Sequence, residues 1–155
     1  MFQEGKRLLK TLSIPLLVGV VAGFFTKDGM QIFESMTKPP LSPPAVVFPI
    51  VWTILYLFMG ISSYIVAGKD GREEEKALTL YGYQLIINFL WPVFFFSFEW
   101  YFFSLLWLLF LGFFVLKMIF AFYQVSPAAA YLNIPYLIWL TFAAYLNAGV
   151  WILNR

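Results

Sequence analysis

Gln84, Asn88 and Asn147 are the side chains of this sequence best placed to do chemistry, because each is a carboxamide set inside a long apolar run. At 100° per residue, Gln84, Asn88, Trp91 and Phe95 fall on one helical stripe, and Trp139, Ala143, Leu146, Asn147 and Asn154 fall on another. A third stripe carries Trp52, Tyr56, Met59 and Ser63. Faces of this kind hold a flat apolar guest between rings and fix it with a few amides. They do not suit acid–base catalysis. The sequence has no His and no Cys, which removes the usual general base, thiolate chemistry, disulfides, and the commonest zinc and haem ligands. No metal site is expected. Glu73-Glu74-Glu75 reads as a solvated helix start, with acids at the positive end of the helix dipole, and not as a catalytic carboxylate pair.

The elements that must position these side chains are membrane helices. Of 155 residues, 62% are hydrophobic, 22% aromatic and 12% charged, where a soluble domain carries about 25% charged residues. A formal charge of +2 is too small and too scattered for a nucleic-acid surface. Apolar runs long enough to cross a hydrocarbon layer lie at about 8–25, 46–67, 77–98, 101–123 and 131–153, so the expected fold is an all-α bundle of five transmembrane helices forming one domain. The charged start resembles a signal-peptide n-region, but no small-residue cleavage pattern precedes Lys27, and the first run reads as a retained helix. Residues 26–44, with Pro39-Pro40 and Pro43-Pro44, form a long, shaped first loop. Pro49 falls in the opening turn of the second span, where a missing N–H matters least.

Polarity sorts the spans further. The fourth has only Ser104 and Lys117 as polar residues in its body, so it is expected to face lipid or a partner, with Lys117 snorkelling outward. The amides of the third and fifth spans should turn inward, because an unpartnered amide in hydrocarbon costs several kcal/mol. Taken singly, each reads as interhelical glue worth about 0.6 kcal/mol. Together they lie near Pro92 and Pro135, each of which frees a carbonyl and widens the bundle beside Trp91 and Trp139. Gly19 and Gly23 form a GxxxG step that suggests close packing within the bundle, while Trp100 and Trp151 are assigned to the interfacial belt. Seven basic residues (Lys6, Arg7, Lys10, Lys69, Arg72, Lys76 and Lys117) fall on one side and three (Lys27, Lys38 and Arg155) on the other. This predicts a cytoplasmic N-terminus and an outward proline loop in the cell membrane.

The run Lys38-Pro39-Pro40, Pro43-Pro44, Phe48-Pro49, Val51-Trp52-Thr53, Leu55-Tyr56, Met59-Gly60 and Tyr64 resembles the translocator protein family, whose bacterial members are the tryptophan-rich sensory proteins. The likeness continues through Gln84-Leu85, Asn88, Trp91-Pro92, Pro135-Tyr136, Trp139, Phe142-Ala143, Leu146-Asn147, Trp151 and Asn154. It implies five helices and a membrane receptor, often a homodimer, that binds protoporphyrin IX and benzodiazepine or isoquinoline ligands under the first loop. Trp52, Asn88, Trp91, Trp139, Ala143 and Leu146 are the pocket positions it implies, with Trp52 and Trp139 as the stacking pair; Tyr56 and Asn147 join them from their stripes. Lys38 is expected to pair with a ligand carboxylate at the mouth. No cofactor is required and the porphyrin is a ligand. Two other readings stand beside this one: a light- and oxygen-dependent porphyrin-degrading enzyme using Trp52 and Trp139, or a translocator of tetrapyrrole or lipid. The family's sterol pattern is absent, since Tyr145 is ten positions from Arg155.

Overall fold

The computed structural model describes the backbone of all 155 residues and the side chains of all but Met30. In chain order the helices are α1 (Phe2–Phe25), α2 (Gly29–Ser35), α3 (Val47–Ala67), α4 (Arg72–Pro92), α5 (Tyr101–Val125), α6 (Pro127–Tyr131) and α7 (Ile134–Leu153), with a π-helical turn, Val93–Ser97, closing α4. Five units are long and apolar enough to cross a membrane: α1, α3, α4 with its π turn, α5, and α6 with α7. Their outer surface carries exposed Leu17, Val20, Ile50, Ile86, Leu109, Phe113 and Ile138, a composition that suits acyl chains and not water.

Several expectations require correction. Helix α1 starts at Phe2 rather than near residue 8, so it is a 24-residue helix; its charged first turns remain helical because Glu, Lys and Arg are good helix formers beyond the apolar stretch. The first loop contains α2, seven residues that periodicity cannot resolve. Helix α5 is no peripheral element. Ser104, Leu108, Leu111, Val115, Met118 and Phe122 are buried along one face, and its buried share equals that of α3. Only its other face, with Phe102, Phe103, Leu106, Leu109, Phe110 and Phe113, is exposed. The least buried span is α1.

Pro135 does not lie within a continuous fifth span. The chain breaks at Leu132 and Asn133, and Pro135 occupies the first turn of α7, where it removes no needed hydrogen bond. The break is pinned from inside, as Asn133 Nδ2 donates to Ser62 Oγ on α3 and to the Ala129 carbonyl, both at 3.0 Å. Local widening therefore belongs to Pro92, which is followed directly by the π turn. Glu99 turns the chain into α5 in the left-handed region, φ 56°.

Candidate ligand cavity

Two short polar chains tie the long helices together at the level of the amides. Tyr56 Oη on α3 donates to Asn88 Oδ1 on α4, Asn88 Nδ2 donates to Tyr136 Oη on α7, and Tyr136 Oη donates to Gln84 Oε1, each at 2.7 Å. The second chain runs from Trp91 Nε1 to Asn147 Oδ1 at 3.0 Å, and from Asn147 Nδ2 to the Tyr101 carbonyl at 2.8 Å. Every amide of the three polar stripes thus has a partner, as burial in hydrocarbon demands. Tyr136 is fully buried and is the hub of the first chain. Hydropathy hides it, because a tyrosine counts as an aromatic until its hydroxyl is placed.

Beside these chains lies a cavity of about 450 Å³. Trp52, Tyr56 and Thr53 of α3 form one wall, and Asn88, Trp91, Phe95 and Phe96 of α4 and its π turn form another. Ala143, Leu146, Asn147 and Val150 of α7 make the back, and Leu16, Gly19, Val20 and Gly23 of α1 the front. Phe33 from α2, Ala45 from the segment after it and Phe48 from the first turn of α3 complete the lining. Trp91 stacks on Phe95 with ring centres 5.3 Å apart, and Trp52 lies 5.6 Å from Tyr56, so both walls present ring faces braced by further rings. The edge is formed by exposed Val20, Gly23 and Lys27 on one side and exposed Pro49 and Thr53 on the other, so the cavity opens sideways between α1 and α3.

The space exists because α1 and α3 diverge. Near their other ends they touch closely: a Cβ on Gly60 would lie 2.9 Å from Leu12 Cα and 3.1 Å from the Thr11 carbonyl. Gly19 then accommodates the ring of Tyr56, and one turn further on a Cβ at Gly23 would meet nothing within 4 Å. The GxxxG step therefore serves two purposes: its first glycine receives a wedge and its second borders empty space.

The segment after α2 is a strap laid along α7. Asn154 Oδ1 accepts from the Thr37 N–H at 3.1 Å, and its Nδ2 donates to the Thr37 carbonyl at 2.7 Å, so the side chain pairs with the backbone as a strand neighbour would. Tyr145 Oη donates to the Pro40 carbonyl at 2.6 Å, and Gly149 leaves room for the Pro39 ring, which a methyl group there would overlap. Successive strap residues therefore meet α7 positions of decreasing number.

Seven of the residues singled out in the sequence, Trp52, Tyr56, Asn88, Trp91, Ala143, Leu146 and Asn147, are brought together around one space. Two are not. Trp139 lies on the correct stripe of α7, but Phe48 packs on it at 5.9 Å and Phe142 at 5.4 Å, and it does not line the cavity. The expected Trp52 and Trp139 sandwich does not form; the second indole that lines the chamber with Trp52 comes from α4, as Trp91. Lys38 is also placed elsewhere. Its Nζ donates to the carbonyls of Phe33 (3.2 Å) and Glu34 (3.1 Å), closing the end of α2. The cation at the cavity edge is Lys27. Among the described residues, no group of three or more acidic, His or Cys side chains is placed to hold a metal ion.

Five apolar spans around an aromatic-lined cavity define a multi-pass membrane protein. The model of the TspO/MBR family matches residues 11–152, and the chain belongs to that family. It is 37% identical over 142 residues to the translocator protein of Bos taurus, covering 89% of this chain and 84% of that one. Over 146 residues it is 34% identical to the tryptophan-rich protein TspO of Chlorobaculum tepidum, covering 92% of each. A tryptophan-rich sensory protein of Cereibacter sphaeroides is 36% identical over 122 residues, 79% of this chain and 76% of the relative.

Proposed function

We propose that this membrane protein binds and senses a planar, largely apolar ligand of porphyrin type, and accepts benzodiazepine or isoquinoline ligands in the same chamber. The observation that carries this reading is the two aromatic pairs, Trp52 with Tyr56 and Trp91 with Phe95, that line one cavity of about 450 Å³. That volume falls within the range of about 300–1,000 Å³ usual for small-molecule sites. Because Asn88 and Asn147 already satisfy their neighbours, ring stacking and shape supply most of the affinity, and the amides contribute their remaining lone pairs and hydrogens. Lys27 at the edge, and not Lys38, takes the ligand carboxylate. The sideways opening lets an apolar guest arrive from the bilayer without crossing water. The basic-residue bias supports an N-terminus in the cytoplasm and a strap outside the cell membrane.

A porphyrin bound against Trp52 and Trp91 should quench tryptophan fluorescence, so titration of the purified protein with protoporphyrin IX tests the site. A stacked aromatic contributes about 0.5–1.5 kcal/mol beyond its area, so Trp52→Ala should weaken binding about tenfold. Trp139→Ala should change it much less. Equal losses in the two variants would reject this assignment of the walls.

A further inference from the structure

Lys117 is a charged side chain set apart from the cavity. It sits in the body of α5, eight residues before the helix ends at Val125, which is about 12 Å along the axis at 1.5 Å per residue. A cation at such depth marks a functional site by default, and the question is what partners it. Its Nζ lies 5.3 Å from the centre of the Phe113 ring, one turn deeper in the same helix.

Lys117 borders a second recess of about 360 Å³ between α4 and α5, whose other lining residues are Arg72, Glu75, Lys76, Thr79 and Leu80. Arg72, Glu75, Lys76 and Thr79 are spaced i, i+3, i+4 and i+7, so α4 presents them on one face. Three cations against one carboxylate leave this recess with a surplus of two positive charges. Glu73 and Glu74, although adjacent in sequence, do not line it. Toward the membrane interior the same faces of the two helices turn apolar. Tyr83 and Ile86 continue the α4 face, Phe110 and Phe113 continue the α5 face, and all four are exposed. The cationic recess is thus followed, along the same two helix faces, by an exposed apolar track, and the two together make a candidate groove.

We propose that this groove binds an anionic phospholipid, with its phosphate between Arg72, Lys76 and Lys117 and an acyl chain along Tyr83, Ile86, Phe110 and Phe113. A phosphate alone would leave the apolar half unexplained, and a neutral zwitterionic lipid would leave the surplus charge unmatched. Basic recesses between membrane helices suit anionic headgroups, each Lys or Arg contributing about 1 kcal/mol. The site lies on a different pair of helix faces from the cavity and does not depend on what the cavity holds.

The test is native mass spectrometry of the delipidated protein in neutral detergent, titrated with phosphatidylglycerol, with phosphatidylcholine, and with inorganic phosphate as competitor. One phosphatidylglycerol per chain should bind in clear preference to phosphatidylcholine, and inorganic phosphate in millimolar excess should not displace it. Lys117→Met and Lys76→Met should each weaken phosphatidylglycerol about fivefold, from the contribution of one basic residue, while Lys117→Arg retains it. Both positions are exposed, so the unfolding midpoint serves as the control for folding. Equal binding of the two lipids would overturn the proposal, as would retention of phosphatidylglycerol by Lys117→Met, or displacement by phosphate, which would mark a free-anion site.

Discussion

Around Gly60, α1 and α3 are so close that no side chain fits between them, whereas around Gly23 the same two helices leave room for a guest. The contrast extends across the bundle. On the Gly60 side, Met59, Val66, Met118, Phe122 and Ala129 fill the space between helices and are fully buried. On the Gly23 side, Trp52, Trp91 and Phe96 surround space and stay partly exposed. Tyr56 stands at the boundary: its ring wedges against Gly19 and its hydroxyl is held by Asn88. The chamber thus takes more than the glycines that border it. It needs two helices in firm contact at one end, a fixed wedge in the middle, and a proline followed by a π turn on the opposite wall.

Leucine placed at each of the two glycines gives the sharpest contrast. At Gly60 it would press on the Leu12 backbone, and overpacking of that kind costs about 1–3 kcal/mol. The upper end is expected because backbone yields less than a side chain, and thermal unfolding in detergent should show it as a lowered midpoint. Tyr136→Phe comes next. It removes the hub of the first polar chain and leaves Asn88 Nδ2 and Gln84 Oε1 unpaired, for about 1–2 kcal/mol. The chamber wall should loosen with it, so porphyrin affinity falls as the midpoint does. Asn154→Ala breaks the two backbone-like bonds to Thr37. Its cost in stability is about 1 kcal/mol, but hydrogen exchange at Thr37 should rise well above that in the core of α3. Smallest is Gly23→Leu, which enters open space and should move the midpoint by less than about 0.5 kcal/mol. Similar midpoints for Gly23→Leu and Gly60→Leu would remove the contrast between the two ends.

The five spans were legible in the sequence because long apolar runs broken by Lys27-Asp28-Gly29 and Gly68-Lys69-Asp70-Gly71 leave few alternatives to membrane helices. Helical phase also grouped Trp52, Tyr56, Asn88, Trp91, Ala143 and Asn147 on faces that meet. Phase says which side of a helix a residue occupies, but not which neighbour covers it. Trp139 shows the limit, since it shares a stripe with Ala143 yet is covered by Phe48 from the first turn of α3. Lys38 shows another: its charge suggested a ligand, while the local need was for a donor to the free carbonyls ending α2, a helix whose seven residues carry no periodic signal. Pro92 and Pro135 look alike in sequence, and only the break at Leu132 and Asn133 reveals that one disturbs a helix and the other starts one.

The central claim is that ligand occupies the open space between Gly23 and the aromatic walls. Gly23→Phe should fold, because nothing stands within 4 Å of the added Cβ, and its ring should fill the chamber. Titrated with protoporphyrin IX beside the unmodified protein, this variant should lose saturable quenching at an unchanged unfolding midpoint. Saturable quenching with unaltered affinity would place the ligand elsewhere and contradict the account.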